Sequence, residues 1–157
     1  VPGEICVRTD ELEGGTPLGL FRGYYRNDDL TRQVWNRGLY HTGDMAYRDE
    51  KGYIWYFGRI EDIIKTAGYR IGPFEIENVL MEHAGVVEAA VTEFDGGVKA
   101  TVVLAGGYEG SAALTEELQD LVRRRTVAYK VPKAIDYIEA MPRTISGKIQ
   151  RSALRGE

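Results

Sequence analysis
The sequence predicts an α+β fold, with a β-rich stretch over residues 1–60 and a small domain over residues 61–157. Three observations carry this. Apolar residues recur at helical spacing at Ile76, Val79, Leu80 and His83, and again at Leu114, Leu118, Leu121 and Val122. Two β-type runs, Val86–Phe94 and Val98–Ala105, flank the turn Asp95-Gly96-Gly97. Residues 1–60 carry short aromatic and alternating runs but little helical periodicity. The small domain is therefore expected to hold a mixed, mostly antiparallel sheet flanked by helices.

The elements follow in order. Glu4–Arg8 alternates polar and apolar residues and reads as a strand. Asp10–Leu18, rich in Gly, Glu and Pro, reads as a loop. Tyr24–Val34 fits a short helix capped by Asn27 or Asp28. Tyr40–Asp44 reads as a tight polar turn. Met45–Tyr47 and Tyr53–Phe57 flank Asp49–Gly52, a hairpin signal, and the many aromatics here are expected to cover a sheet. Ile63–Lys65 and Tyr69–Ile71 flank Thr66-Ala67-Gly68, a second hairpin. Pro73 opens a helix running to about His83, with Glu75 and Glu77 near its positive end. The next helix takes Thr115 as its cap and ends in Arg123-Arg124-Arg125. Ile135–Glu139 is a strand, Met141–Ile149 a loop, and Gln150–Arg155 a last helix.

Composition sets the limits. The 157 residues carry a net charge of −4, against the domain-wide basic excess of nucleic-acid binders. The single cysteine, Cys6, excludes an internal disulfide and a cysteine metal cluster. Only His41 and His83 add imidazole, far apart, so no metal site is expected. No apolar run approaches the roughly 20 residues of a membrane-spanning helix. No signal peptide is read, and a cytoplasmic protein is the default. The start at Val1-Pro2-Gly3, without an initiator Met, reads as a piece of something larger.

Several residues are suited to chemistry. Pro142–Lys148 (PRTISGK) places Gly147, free to bend left-handed, beside Lys148, whose long stem can reach a phosphate or carboxylate. It lacks the further glycine of a P-loop. Asp44 can accept two hydrogen bonds from a ribose diol, or simply cap a turn. Arg59 can bind ribose or phosphate, or pair with Glu61 or Asp62. Lys65 and Arg70 can point at one ligand or bond each other across their hairpin. His41 reads as structural, because the sequence sets no acid or nucleophile near it.

These residues fall into four motifs in order: YHTGD at 40–44, GRIED at 58–62, GYRIGPFEIE at 68–77 and SGK at 146–148. Together they resemble the C-terminal portion of the AMP-forming adenylating enzymes, most closely the medium-chain acyl-CoA synthetase branch. The resemblance spans nearly the whole chain. It implies that residues 1–60 are the β-rich end of a large N-terminal domain and residues 61–157 a mobile C-terminal domain. It implies Asp44 on the ATP ribose, Arg59 on ribose or phosphate, and Glu61 at the hinge. Lys148 would bridge the substrate carboxylate and the α-phosphate. Arg70 would lie near phosphates or acyl adenylate, and Lys65 would serve the second half-reaction. Ala67, Gly68 and Tyr69 would line the pantetheine path, and Arg123 would meet the CoA 3′-phosphate unless it only completes a helix end. The implied substrates are a carboxylic acid, ATP and CoA. Mg2+ ligands, the phosphate loop and the acyl pocket are expected in the missing N-terminal domain.

One departure stands out. Where the family carries a longer loop with an Arg, this chain has only Thr92–Lys99, which puts CoA affinity in doubt unless Lys99 substitutes. Transfer to a carrier-protein thiol and a catalytically silent binding module are the competing functions, and intact Asp44, Arg59 and Lys148 argue against the second. The chain alone is expected to be inactive.

Overall fold
The computed structural model describes residues 1–9, 18–66 and 68–155. These divide into two units, Val1–Glu61 and Asp62–Glu157. The loop expected over Asp10–Leu18 lies outside the described residues except for Leu18, and so does Ala67.

The first unit is built around one long strand. Strand β1 (Gly3–Arg8) precedes helix α1 (Asp28–Val34), then β2 (Trp35–Asn36), β3 (Leu39–Arg48) and β4 (Ile54–Arg59). β1, β2 and β4 each pair antiparallel with β3. α1 starts where expected, because the Asn27 side chain accepts the Leu30 amide at 3.0 Å and Asp28 and Asp29 fill the first turn.

Tyr40–Asp44 is not the expected tight turn. It lies inside β3, and the turn residues are absorbed as a bulge. Glu4 pairs with Met45 and Cys6 with His41, so Thr42, Gly43 and Asp44 stand against Ile5 alone. Gly43 supplies the positive φ of +74° that the bulge needs. The aromatic hairpin forms, but Tyr47, Tyr53, Trp55 and Tyr56 are exposed within this unit rather than buried. Only Met45 and Ala46 are buried apolar residues among those described in this unit.

The second unit has a proper core. It contains the hairpin β5 (Ile64–Thr66) and β6 (Tyr69–Ile71), then α2 (Pro73–Met81), β7 (Val86–Phe94) and β8 (Gly97–Leu104). Helix α3 (Ala112–Arg125), β9 (Ala134–Ile138) and α4 (Arg151–Arg155) complete it. The sheet order is β7-β8-β9, antiparallel then parallel. Asp95 and Gly96 both take positive φ and are the two central residues of the β7–β8 turn, with Phe94 paired to Gly97. That matches the right-handed twist of a hairpin and needs nothing longer. Ala89, Val91, Val98, Ala100 and Val102 pack against Ile76 and Leu80 of α2 and Leu114, Leu118 and Val122 of α3. α3 is capped by Ser111, not Thr115. The Ser111 hydroxyl accepts the Leu114 amide at 3.2 Å, while Thr115 bonds the Tyr137 hydroxyl at 2.9 Å.

Leu118 is fully buried at the α3–sheet contact. Leu118→Ala is expected to cost about 2–5 kcal/mol in urea unfolding, the range for a leucine cavity in a packed core.

Candidate active site
The bulge in β3 brings Asp44 and Arg59 together. They are register partners on β3 and β4, and Arg59 Nη1 lies 3.2 Å from Asp44 Oδ1. The same nitrogen donates to the Thr42 carbonyl at 2.7 Å, and Arg59 Nε donates to Glu61 Oε1 at 3.0 Å. Arg59 therefore pairs with Asp44 and Glu61, and no bond to Asp62 is among its contacts. Burial would weaken its charge, but Glu61 and Asp44 outweigh that and hold it above its ordinary range. A Cβ on Gly43 would come within 3.0 Å of the guanidinium, a second reason for glycine there. Asp44 does not cap a turn with its side chain. Instead its amide donates to Thr42 Oγ1 at 3.1 Å, and Thr42 Oγ1 donates to the Ile5 carbonyl at 2.7 Å. Glu4, His41, Thr42, Gly43, Arg59 and Glu61 line an open cavity of about 540 Å3.

His41 departs from expectation. Its Nδ1 lies 2.8 Å from Glu4 Oε2 and 3.6 Å from Cys6 Sγ, so an acid and a thiol do stand beside it. They were hidden because β1 is far from His41 in sequence and meets it only by strand pairing. Glu4 Oε1 also accepts the Gly43 amide at 3.1 Å. Burial pushes Glu4 up, but the bonds from His41 and Gly43 and the charges of His41 and Arg59 hold it below its ordinary value. Burial and the Glu4 charge push the Cys6 thiol up.

In the second unit, Lys65 and Arg70 are direct partners across β5–β6, both exposed. They do not bond each other. Thr66 and Tyr69 are the next pair, and Tyr69 stacks on Tyr129 with centroids 4.0 Å apart. Gly68 has φ +83° and open space around it, so the local reason for glycine is backbone conformation. Arg123 bonds Asp120, one turn back on α3, and Arg125 bonds Glu82 at 3.0 Å. Lys99 pairs with Asp136 at 3.0 Å and is largely covered, so it is not a spare cation at the shortened loop.

Lys148 sits on a small hairpin. Arg143 and Ile149 form a bridge, the Thr144 amide donates to the Lys148 carbonyl at 2.8 Å, and the Gly147 amide donates to the Thr144 carbonyl at 2.9 Å. Gly147 takes the left-handed conformation, φ +83°, that closes such a three-residue loop. Lys148 is exposed, with no side-chain hydrogen bond or ion pair among the described residues. Arg143, unassigned from sequence, braces this loop. Its Nη1 donates to the Gly147 carbonyl at 2.7 Å, and its Nη2 meets Glu88 on β7 at 2.6 Å.

Glu77 also departs from expectation. It lies on the core side of α2, 5% exposed, rather than beside the helix end as a dipole partner. It accepts the Val91 amide at 2.8 Å and both contacts of Arg151 Nη2, at 2.7 and 2.9 Å. Arg151 Nη1 also reaches Asp62 at 3.5 Å. The signal was available in sequence, since Glu77 shares the i, i+3, i+4, i+7 stripe with Pro73, Ile76 and Leu80.

Residues 75–148 match the AMP-binding enzyme C-terminal domain family. The chain is similar, over nearly all its length, to CoA ligases and acyl-CoA synthetases. It is 44% identical to 4-hydroxybutyrate--CoA ligase 1 of Metallosphaera sedula, covering 98% of this chain and 27% of that protein. It is 42% identical to mitochondrial acyl-coenzyme A synthetase ACSM4 of Mus musculus, covering 99% and 27%. Among solved structures, an anthranilate CoA ligase in complex with anthranoyl-AMP matches with a TM-score of 0.87 and 30% identity, over 99% of this chain and 30% of that one. The chain thus spans about a quarter (27%) of the length of the curated relatives it matches.

Two outcomes test this geometry. Arg151→Met leaves the Glu77 carboxylate buried beside one amide. A loss of about 3–5 kcal/mol is expected in chemical unfolding. Glu4, whose folded pKa is depressed, contributes stability above its ordinary value of 4.5, and loses it as pH falls through the folded value. The melting-temperature gap between the protein and Glu4→Gln is therefore expected to be widest near neutral pH and to close in acid.

Proposed function
We propose that this chain is the C-terminal portion of an AMP-forming acyl-CoA synthetase, an acid–thiol ligase. The carrying observation is the Asp44–Arg59 pair, set by the bulge at the cavity that Arg59 and Gly43 line. A carboxylate beside a guanidinium suits a ribose diol and an adjacent phosphate. Among the described residues, the one group of three metal-capable side chains is Glu4, Cys6 and His41, which is not the oxygen-rich set Mg2+ takes. Mg2+ is therefore assigned to the N-terminal domain of the same enzyme, as is the acyl pocket.

Two half-reactions follow. A carboxylate oxygen of the acid attacks the α-phosphorus of ATP, and pyrophosphate leaves with the bonding pair. Lys148 is assigned to the charge that builds on the carboxylate and α-phosphate, as a point cation on a stiff loop. The CoA thiolate then attacks the acyl carbonyl and AMP leaves. Lys65 is assigned to this step, Ala67, Gly68, Tyr69 and Arg123 to CoA, and Arg70 to the phosphates or the acyl adenylate. Arg70 and Lys65 stand together on one hairpin, which supports a shared ligand. The unit boundary after Glu61 supports that residue as the pivot between the two steps. The compartment proposed is the cytoplasm. Among the described residues no helix is long and apolar enough to cross a membrane.

In the complete enzyme, Lys148→Ala is expected to lower adenylation about 10²–10³-fold, the usual loss of one charge-stabilising donor. Thioester formation from supplied acyl adenylate is expected to change far less. Equal losses in the two assays would sink the role of Lys148.

A further inference from the structure
The ligase reading gives Glu4, Cys6 and His41 no chemical role, although Glu4 and His41 line its cavity, and the three form a built cluster. Cys6 and His41 face each other directly across the β1–β3 ladder. Glu4, two residues before Cys6, reaches the same point past the bulge. The three donor atoms all lie within 4.8 Å of one another, and all three residues are half-buried. The Glu4 carboxylate is aimed from behind, since Oε1 is held by the Gly43 amide at 3.1 Å while Oε2 faces His41. Outer contacts of that kind orient metal ligands.

We propose that Glu4 Oε2, Cys6 Sγ and His41 Nδ1 form a site for a divalent cation of the zinc type, with a fourth position for water. Tetrahedral zinc bonds of about 2.0–2.3 Å set neighbouring donors roughly 3.3–3.6 Å apart. Nδ1 and Sγ, 3.6 Å apart, already have that spacing. Nδ1 and Oε2, 2.8 Å apart, need to part by about half an ångström, which replaces the hydrogen bond with two metal bonds. The charge closes as well. One thiolate and one carboxylate neutralise the dication, while the nearby Arg59 is matched by Asp44 and Glu61. Binding breaks the Cys6 S–H bond and releases that proton to solvent. An imidazole proton on Nδ1 moves to Nε2. Thiolate and imidazole select zinc, cobalt or copper over magnesium and calcium.

The test uses Co2+ and Zn2+ on the 157-residue chain, in which Cys6 is the single cysteine. One Co2+ per chain is expected, with visible bands of tetrahedral intensity and a thiolate-to-cobalt charge-transfer band, all displaced by Zn2+. Cys6→Ser should abolish the charge-transfer band. Cys6→Ser and His41→Ala should each weaken Zn2+ by more than the 10–100-fold, roughly, that follows loss of an outer contact. Glu4→Gln, which keeps an oxygen for the Gly43 amide, should weaken it too, with folding followed by circular dichroism. A weak six-coordinate spectrum without the thiolate band would overturn the proposal. So would Zn2+ affinity unchanged in Cys6→Ser, or the same band in the urea-unfolded chain. Because the readout is metal binding, its failure would leave the ligase reading untouched.

Discussion

The second unit is organised by a carboxylate in its interior. Glu77 sits on the apolar stripe of α2, where a Leu would serve packing alone, and it binds the Val91 amide on β7 and the Arg151 guanidinium on α4. A buried charge of this kind is costly unless its lone pairs are filled. Here they are filled by partners from two further elements, so one carboxylate ties α2, β7 and α4 together. The consequence reaches the Lys148 loop. That loop ends at α4, whose first residue is Arg151, and it is braced at its other end by Arg143 on Glu88 of the same β7 strand. A loop leading into a five-residue helix would otherwise hang from a weak support, since helices that short do not hold themselves.

The first unit obtains its order differently. Among its described residues it has almost no core of its own, and its precision comes from backbone pairing to one strand. The bulge at Thr42–Asp44 is where that pairing is bent to a purpose. Three residues stand against one, Gly43 takes the strained conformation, and Asp44 is turned toward Arg59. Ile5, Glu4 and Arg59 each bond to this stretch, so the irregularity is fixed from three sides.

Much of this was legible in the chain. Helix α2, helix α3 and the β7–β8 hairpin followed from spacing, and Asn27 and Gly147 followed from capping and turn chemistry. The fold class followed from the helical and β-type runs, and the resemblance to the adenylating enzymes from four motifs in order. What stayed hidden was whatever depends on partners distant in sequence. Tyr40–Asp44 has the composition of a turn, and only pairing with β1 makes it a strand. Thr115 looked like a cap because the Ser111 signal lies four residues earlier, before the apolar stripe begins. Glu77 looked like a helix-end charge because its receptors, Val91 and Arg151, belong to other elements. The aromatic hairpin reads as a covered surface, yet within its own unit the rings are exposed.

Arg59 shows what such a built site implies for exchange. Its donors already hold a carbonyl and two carboxylates before any nucleotide arrives. A ribose or phosphate oxygen entering there trades places with an existing acceptor rather than filling a vacancy. The gain is then the difference between two good partners, not the full strength of either. Under the proposed ligase function, such a site would be held in register before its ligand came, yet would grip a nucleotide only moderately. That balance would suit a ligase that must let go of one spent nucleotide in every cycle.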